Sequence, residues 1–140
     1  MAQVSELLDR FVELFNAGRY EEAEADFAPG GYSEEVGTGR RLTIKEATAN
    51  ARAWKDAFPD ARGTITNKIV AGNKGAAEIL WRGTNRGSLM GNAPTGKSVE
   101  VRAVVVIDTD GAKIKRATHY IDVAGMTAQL GGRAVAATTS

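Results

Sequence analysis

The residues best suited to chemistry lie near the C-terminal end, in Thr118-His119-Tyr120-Ile121-Asp122. In an extended strand, side chains alternate between faces, so Thr118, Tyr120 and Asp122 share one face and His119 points to the other. Asp122 stands among Ile121, Val123 and Ala124. A carboxylate on the wall of an apolar pocket is desolvated, which raises its pKa and makes it a general base near neutral pH. The same Asp122 is also placed to cap a helix beginning near Gly125. His119 is the sequence's 1 histidine, and an imidazole titrates near neutrality, as an acid–base group should. A lone histidine in a strand is also commonly a half-exposed structural residue.

Further candidates lie upstream. Asn50 sits between Ala49 and Ala51, and a side-chain amide buried there without a partner is costly, so it is either exposed or bonded. Tyr32 and Tyr120 can donate hydrogen bonds to a ligand. Trp54, Phe58 and Trp81 suit a core first, and Trp54 and Trp81 can also wall a substrate pocket.

Composition removes many alternatives. With Cys 0 there is no disulfide frame, thiolate nucleophile or cysteine-held metal, and His 1 removes any site that needs a pair of imidazoles. A Ser-His-Asp hydrolase would need His119, yet no G-x-S-x-G turn exists to present the serine. Lys+Arg 18 against Asp+Glu 17 gives a net charge of +1, without the basic excess of a nucleic-acid binder. No apolar run approaches the ~20 residues of a membrane span. Glu6, Asp9 and Glu13 interrupt the first apolar stretch, unlike a secretory leader, so a cytoplasmic setting is expected.

Gly91-Asn92-Ala93-Pro94-Thr95-Gly96-Lys97-Ser98 satisfies the phosphate-loop pattern G-x-x-x-x-G-K-[ST] letter for letter. That mechanism needs a helix N-terminus immediately after the loop. The chain instead continues into the alternating, β-branched run Val99-Glu100-Val101-Arg102-Ala103-Val104-Val105-Val106-Ile107, which is a strand. The segment therefore reads as a Gly/Pro-rich connection between antiparallel strands.

The elements that must position these residues can be read from periodicity. Val4, Leu7, Leu8, Phe11, Leu14 and Phe15 recur at helical spacing, and Gly18 can supply a left-handed stop. Tyr20, Ala23 and Phe27 suggest a second, short helix, after which Pro29-Gly30-Gly31 breaks the chain and a polar, irregular strand or loop spans 32–40. Thr43-Ile44-Lys45-Glu46 fits a capping box for a third helix, which carries Ala47, Ala51, Trp54 and Phe58 and stops at Pro59. Strands are expected over 62–70, 76–87, 98–108 and 113–123, with an Asp110-Gly111 hairpin turn and a helical turn over 126–130. Helices followed by antiparallel strands imply an α+β fold, with a curved antiparallel sheet wrapped around three N-terminal helices into a cone. The chain of 140 residues suits one domain over 1–131 and a flexible tail over 132–140. Such a cone has an apolar interior and suits a small apolar ligand.

A series of motifs in fixed order carries a resemblance: Ala57-Phe58-Pro59-Asp60, the stretch from Trp81-Arg82-Gly83-Thr84 to Pro94-Thr95-Gly96-Lys97, Asp110-Gly111, Ile114, Tyr120-Ile121-Asp122 and Gln129-Leu130-Gly131. From about residue 5 to residue 131 the sequence resembles the SnoaL-like polyketide and ester cyclases of the nuclear-transport-factor-like superfamily. The resemblance implies a cone-shaped α+β barrel that forms a homodimer or homotetramer through its outer sheet face. It implies a cofactor-free intramolecular aldol closure of a polyketide, with no metal, in which Asp122 is the acid–base residue and Asn50 lines the pocket. His119 or Tyr120 would donate to oxygen. Two alternatives stand beside it: another acid–base enzyme of this fold (isomerase, epoxide hydrolase or hydroxylase-like), and a non-catalytic module for binding a small apolar ligand or for assembly.

Overall fold

The computed structural model describes residues 2–131, so the tail expected over 132–140 lies outside the described residues. Helices α1 (Ala2–Ala17) and α2 (Tyr20–Ala25) lead into strands β1 (Phe27–Glu35) and β2 (Arg40–Thr43). Helix α3 (Ile44–Ala57) comes next, then strands β3 (Arg62–Ala71), β4 (Lys74–Thr84), β5 (Ser98–Thr109) and β6 (Ile114–Ile121), and helix α4 (Val123–Gln129). All the strands join one curved, unclosed sheet in the order β2-β1-β6-β5-β4-β3, the cone expected from the sequence.

Helix α1 forms for the reason its spacing suggests: Val4, Leu7, Leu8 and Val12 lie on one side and are all buried. They pack on Ala77 and Ile79 of β4 and on Val105 and Ile107 of β5. Full burial of each such side chain contributes about 1.5–3 kcal/mol. The helix stops at Gly18, whose φ is 70°. The Gly18 N–H donates to Phe15 O at 3.0 Å and the Arg19 N–H to Leu14 O at 2.9 Å, a paired C-terminal cap. Helix α3 begins with the expected capping box: Thr43 N–H donates to Glu46 Oε1 at 2.9 Å and Glu46 N–H to Thr43 Oγ1 at 3.1 Å.

Two expectations change. Pro29-Gly30-Gly31 does not end the chain's regular structure but lies inside β1, where the pairing with β6 shifts register between Phe27 and Tyr32. Gly30 takes φ 77°, and a Cβ at Gly31 would stand 2.9 Å from Ala28 O and 3.0 Å from Ile114 O. Glycine thus converts a break into a bulge. The sheet, expected to be antiparallel, is mixed, because β1 runs parallel to β6 while every other neighbouring pair is antiparallel. The irregular region over 32–40 resolves into the end of β1 and a hairpin to β2.

Alternation along β5 turns Val99, Val101, Val105 and Ile107 inward, all buried. At the C-terminal end of α3, Ala57 and Phe58 pack with Val99, Val101 and Met126 to form a second cluster at the α4 end. Trp81 touches both clusters. At Gly63 the Trp81 ring approaches so closely that an added Cβ would lie 2.6 Å from it. Asn16 fixes that strand by bonding both Gly63 N–H (2.8 Å) and Gly63 O (3.0 Å).

Candidate active site

On β6, register settles which face is which. Ala117 pairs with Ile107 and His119 with Val105, both buried inner-face residues, so His119 points into the cone. Its ring lies 5.3 Å from the Phe11 ring of α1, centroid to centroid. Thr118 pairs with Val106 and Tyr120 with Val104, on the outer face. Between the two core clusters, several inner-facing side chains keep partial access to solvent: Phe11, Phe15, Trp54, Trp81, Ala103 and His119. An alanine in the middle of a sheet's packed face is accessible only if space is left above it. Ala103, flanked by Ile79 and Ile121, therefore marks the floor of a hollow. Phe15 meets Trp81 edge-on at 4.9 Å, and Trp54 stacks on Phe58 at 6.1 Å. Of these rings, Phe11 is the one that meets the imidazole.

Protein atoms crowd His119, which keeps partial access to solvent. Desolvation disfavours the imidazolium and brings the pKa down to about 4, while the carboxylate of Glu35 pulls weakly the other way. At neutral pH the ring is uncharged, with one nitrogen able to accept and the other to donate. Glu35 is the register partner of His119 across the parallel β1–β6 pair, and Val36 N–H donates to His119 O at 3.1 Å. Both Glu35 oxygens are engaged: Asn50 Nδ2 donates to Oε2 at 2.9 Å, and Thr38 Oγ1 donates to Oε1 at 3.1 Å. The amide of Asn50, which had to be exposed or bonded, is bonded. Sequence patterning missed Glu35, because it lies in the polar stretch after the Gly-Gly bulge where no period is visible.

The structure separates the remaining sequence candidates. Asn50, Trp54, Trp81 and His119 lie on the concave side. Tyr32 and Tyr120 lie on the convex side: Tyr32 stacks under the Arg41 guanidinium at 3.8 Å, and Tyr120 is 47% exposed. These two tyrosines do not meet His119. Asp122 also departs from the expected enclosed carboxylate. Strand β6 ends at Ile121, so alternation no longer applies, and Asp122 is exposed as the N-cap of α4, its Oδ1 accepting from Gly125 N–H at 2.8 Å. Of the two roles open to it in the sequence, this geometry is the cap.

Two open concavities lie on the convex side. One, of about 310 Å³, is lined by Glu34, Arg40, Val106, Arg116 and Tyr120 and reaches Glu35 at its edge. The other, of about 620 Å³, is lined by Arg62, Arg82, Ser98 and Glu100. Their walls are largely polar, with Arg116 bonded to Asp108 (2.9 Å) and Arg82 to Glu100 (2.6 Å). Neither offers the apolar enclosure a carbon acid would need. Among the described residues no three of His, Cys, Asp and Glu gather into a metal site, and no helix is long and apolar enough to cross a membrane.

The phosphate-loop pattern takes the form its context demanded. Ser98 opens β5, and the loop leads into no helix. Asn85, 1% exposed, organises the connection instead. Its Oδ1 accepts from Thr95 N–H (2.8 Å) and Oγ1 (3.0 Å), and its Nδ2 donates to Gly87 O (2.9 Å) and Ala57 O (3.3 Å).

Solved structures share this architecture. IdmH from Streptomyces antibioticus, described as a candidate polyketide cyclase, superposes with a TM-score of 0.83 at 25% identity, covering 92% of this chain and 99% of its own. AclR from Streptomyces galilaeus, a candidate hydroxylase, gives 0.84 at 19% identity over 94% of this chain and 82% of its own. A candidate SnoaL-like polyketide cyclase from Jannaschia gives 0.82 at 21%, covering 92% of each chain. No curated protein matches the sequence significantly. Residues 5–130, nearly the whole chain, match the family described as SnoaL-like polyketide cyclase, and the chain belongs to that family.

Proposed function

We propose that the protein is a cofactor-free cyclase that closes a ring by intramolecular aldol addition, with His119 as its acid–base residue. The observation that carries this assignment is an imidazole turned to the inner face of the sheet against the Phe11 ring, where desolvation leaves it uncharged at neutral pH. An unprotonated His119 nitrogen takes a proton from the carbon between two carbonyls of a polyketide. The enolate carbon forms a bond to a second carbonyl carbon of the same chain, and the resulting alkoxide recovers the proton from the imidazolium. No electrons leave the substrate and no group is lost. The rings of Phe11, Trp54 and Trp81 hold a flexible chain folded, so that its ends react at high effective concentration. Asn50 borders the same space through its contact with Glu35.

The test compares two variants on a β-polyketo ester. His119→Gln should lower kcat by roughly 10²–10⁴, the usual contribution of a general acid–base group, whereas Asp122→Asn should leave it within about threefold, because an amide oxygen can still cap α4. The opposite ranking would return the acid–base role to Asp122, the residue the family resemblance singles out.

The exposure of Asp122 favours a second possibility, a non-catalytic carrier of a small apolar ligand. Tight binding of a cyclised polyketide without turnover of its linear precursor would select it. In either case we propose that copies associate as a homodimer or homotetramer through the convex sheet face, where Tyr120 and Val36 are exposed.

A further inference from the structure

An imidazole that takes a proton inside an aromatic hollow must become a cation where water is scarce. That step is costly unless a negative charge stands near it. The environment of His119 contains one candidate. Phe11 faces it from α1 and Val105 from β5, and neither titrates. Helix α3 presents the neutral amide of Asn50. Strand β1 presents Glu35 in direct register, and among the described residues its carboxylate is the charge that acts on the imidazole.

Glu35 is also held more firmly than a surface glutamate. Asn50 occupies Oε2 and Thr38 occupies Oε1, while the Arg40 guanidinium stands 3.8 Å from Oε1. Three side chains from α3, β2 and the intervening hairpin thus converge on one carboxylate. Donors converging in this way limit its rotamers. Its neighbour Glu34 points to the other face, toward Arg116 at 3.6 Å, and has no part in the hollow.

Resting on the assignment of His119 above, we propose that Glu35 is the positioning residue of that histidine. Its carboxylate, fixed by Asn50 and Thr38, faces the imidazole across the β1–β6 pair and supports the imidazolium formed during proton transfer. The proton stays on His119, and Glu35 neither binds substrate nor changes its own protonation.

Glu35→Gln tests this, since glutamine preserves the shape and can still accept from Asn50 or Thr38. Two readouts are needed. On a β-polyketo ester the variant should lose roughly tenfold to a hundredfold in kcat with KM nearly unchanged, less than removal of the acid–base group itself. The acidic limb of its kcat/KM profile should move to lower pH, because losing a nearby negative charge disfavours the imidazolium. The second readout needs no turnover. With a single histidine in the chain, the imidazole carbon and nitrogen NMR resonances belong to His119 alone. In a pH titration the parent ring should protonate with a midpoint of about 4, and the Glu35→Gln ring with its midpoint at lower pH. An unchanged midpoint in a folded variant, checked by circular dichroism over the same pH range, overturns the proposal. A parent protein that turns over no polyketo ester but shows the NMR difference overturns the cyclase assignment and leaves the Glu35–His119 pairing standing.

Discussion

At the scale of single residues, an imidazole placed against Phe11 rather than water couples the protein's stability to pH. In the unfolded chain His119 titrates near 6.5, and in the folded chain near 4. Above 6.5 both states are neutral and the full stability is present. As pH falls from 6.5 toward 4, the unfolded state takes up a proton that the folded state refuses, and stability is lost. Each pH unit in that window costs about 1.4 kcal/mol, so the total is on the order of 3 kcal/mol, an upper figure for a ring that retains some solvent access. Urea midpoints at pH 7 and pH 4.5 should therefore converge in His119→Phe relative to the parent. An equal drop in both proteins would show that other groups carry the acid sensitivity. The alternation that set His119 apart from Thr118 and Tyr120 was visible in the sequence. Which of those faces is concave was not, because apolar residues flank both, and only the pairing of β6 with β5 decides it. Asp122 looked like a strand residue because Ile121 and Val123 hide the end of β6. Glu35 was invisible because its partner is distant in the chain and its own surroundings are polar.

At the scale of elements, the connection between β4 and β5 shows how a buried amide can replace regular structure. Asn85 uses both ends of its side chain to bind loop backbone and the end of α3, with no buried side-chain polar atom left unpartnered among the described residues. Asn85→Ala would remove the side-chain partners of the Thr95 N–H and the Gly87 carbonyl, both part-buried, at a cost of about 1 kcal/mol. Thermal or urea unfolding measures this directly, and Asn85→Asp should fail to restore stability because it lacks the amide donor. A loss below about half a kcal/mol would mean that the loop holds itself. The helices were legible from their caps and spacing, since Gly18 and the Thr43–Glu46 box act locally. The strand through Pro29-Gly30-Gly31 was not, since those residues read as punctuation until a neighbouring strand supplies the pairing. The phosphate-loop lettering could be set aside from sequence alone, because a β-branched run after Lys97 leaves no helix terminus for an anion.

At the scale of the whole molecule, the convex face of the sheet is where self-association would act. Tyr120 is 47% exposed and Val36 48%, beside the paired charges of Arg116, Asp108 and Glu34. Sedimentation velocity on the parent protein should show a dimer or tetramer, and Tyr120→Lys should shift it toward monomer while circular dichroism stays unchanged. A parent chain that remains monomeric at high concentration would refute association through this face. The fold class was readable at this scale, because period changes from helical to alternating near residue 62, but strands β1 and β2, which stand between α2 and α3, were not. The parallel neighbour of β6 was not, since nothing local distinguishes it.

That parallel seam has a consequence for robustness. Glu35 comes from the first quarter of the chain and His119 from close to its end, and they become neighbours only where β1 lies against β6. Peeling away either terminal segment would part them, even with the β3–β4–β5 meander and its packing intact. The proposed pairing is thus a property of the completed circuit of the chain, and if His119 is the acid–base residue, partial denaturation should silence turnover before the bulk of the sheet melts.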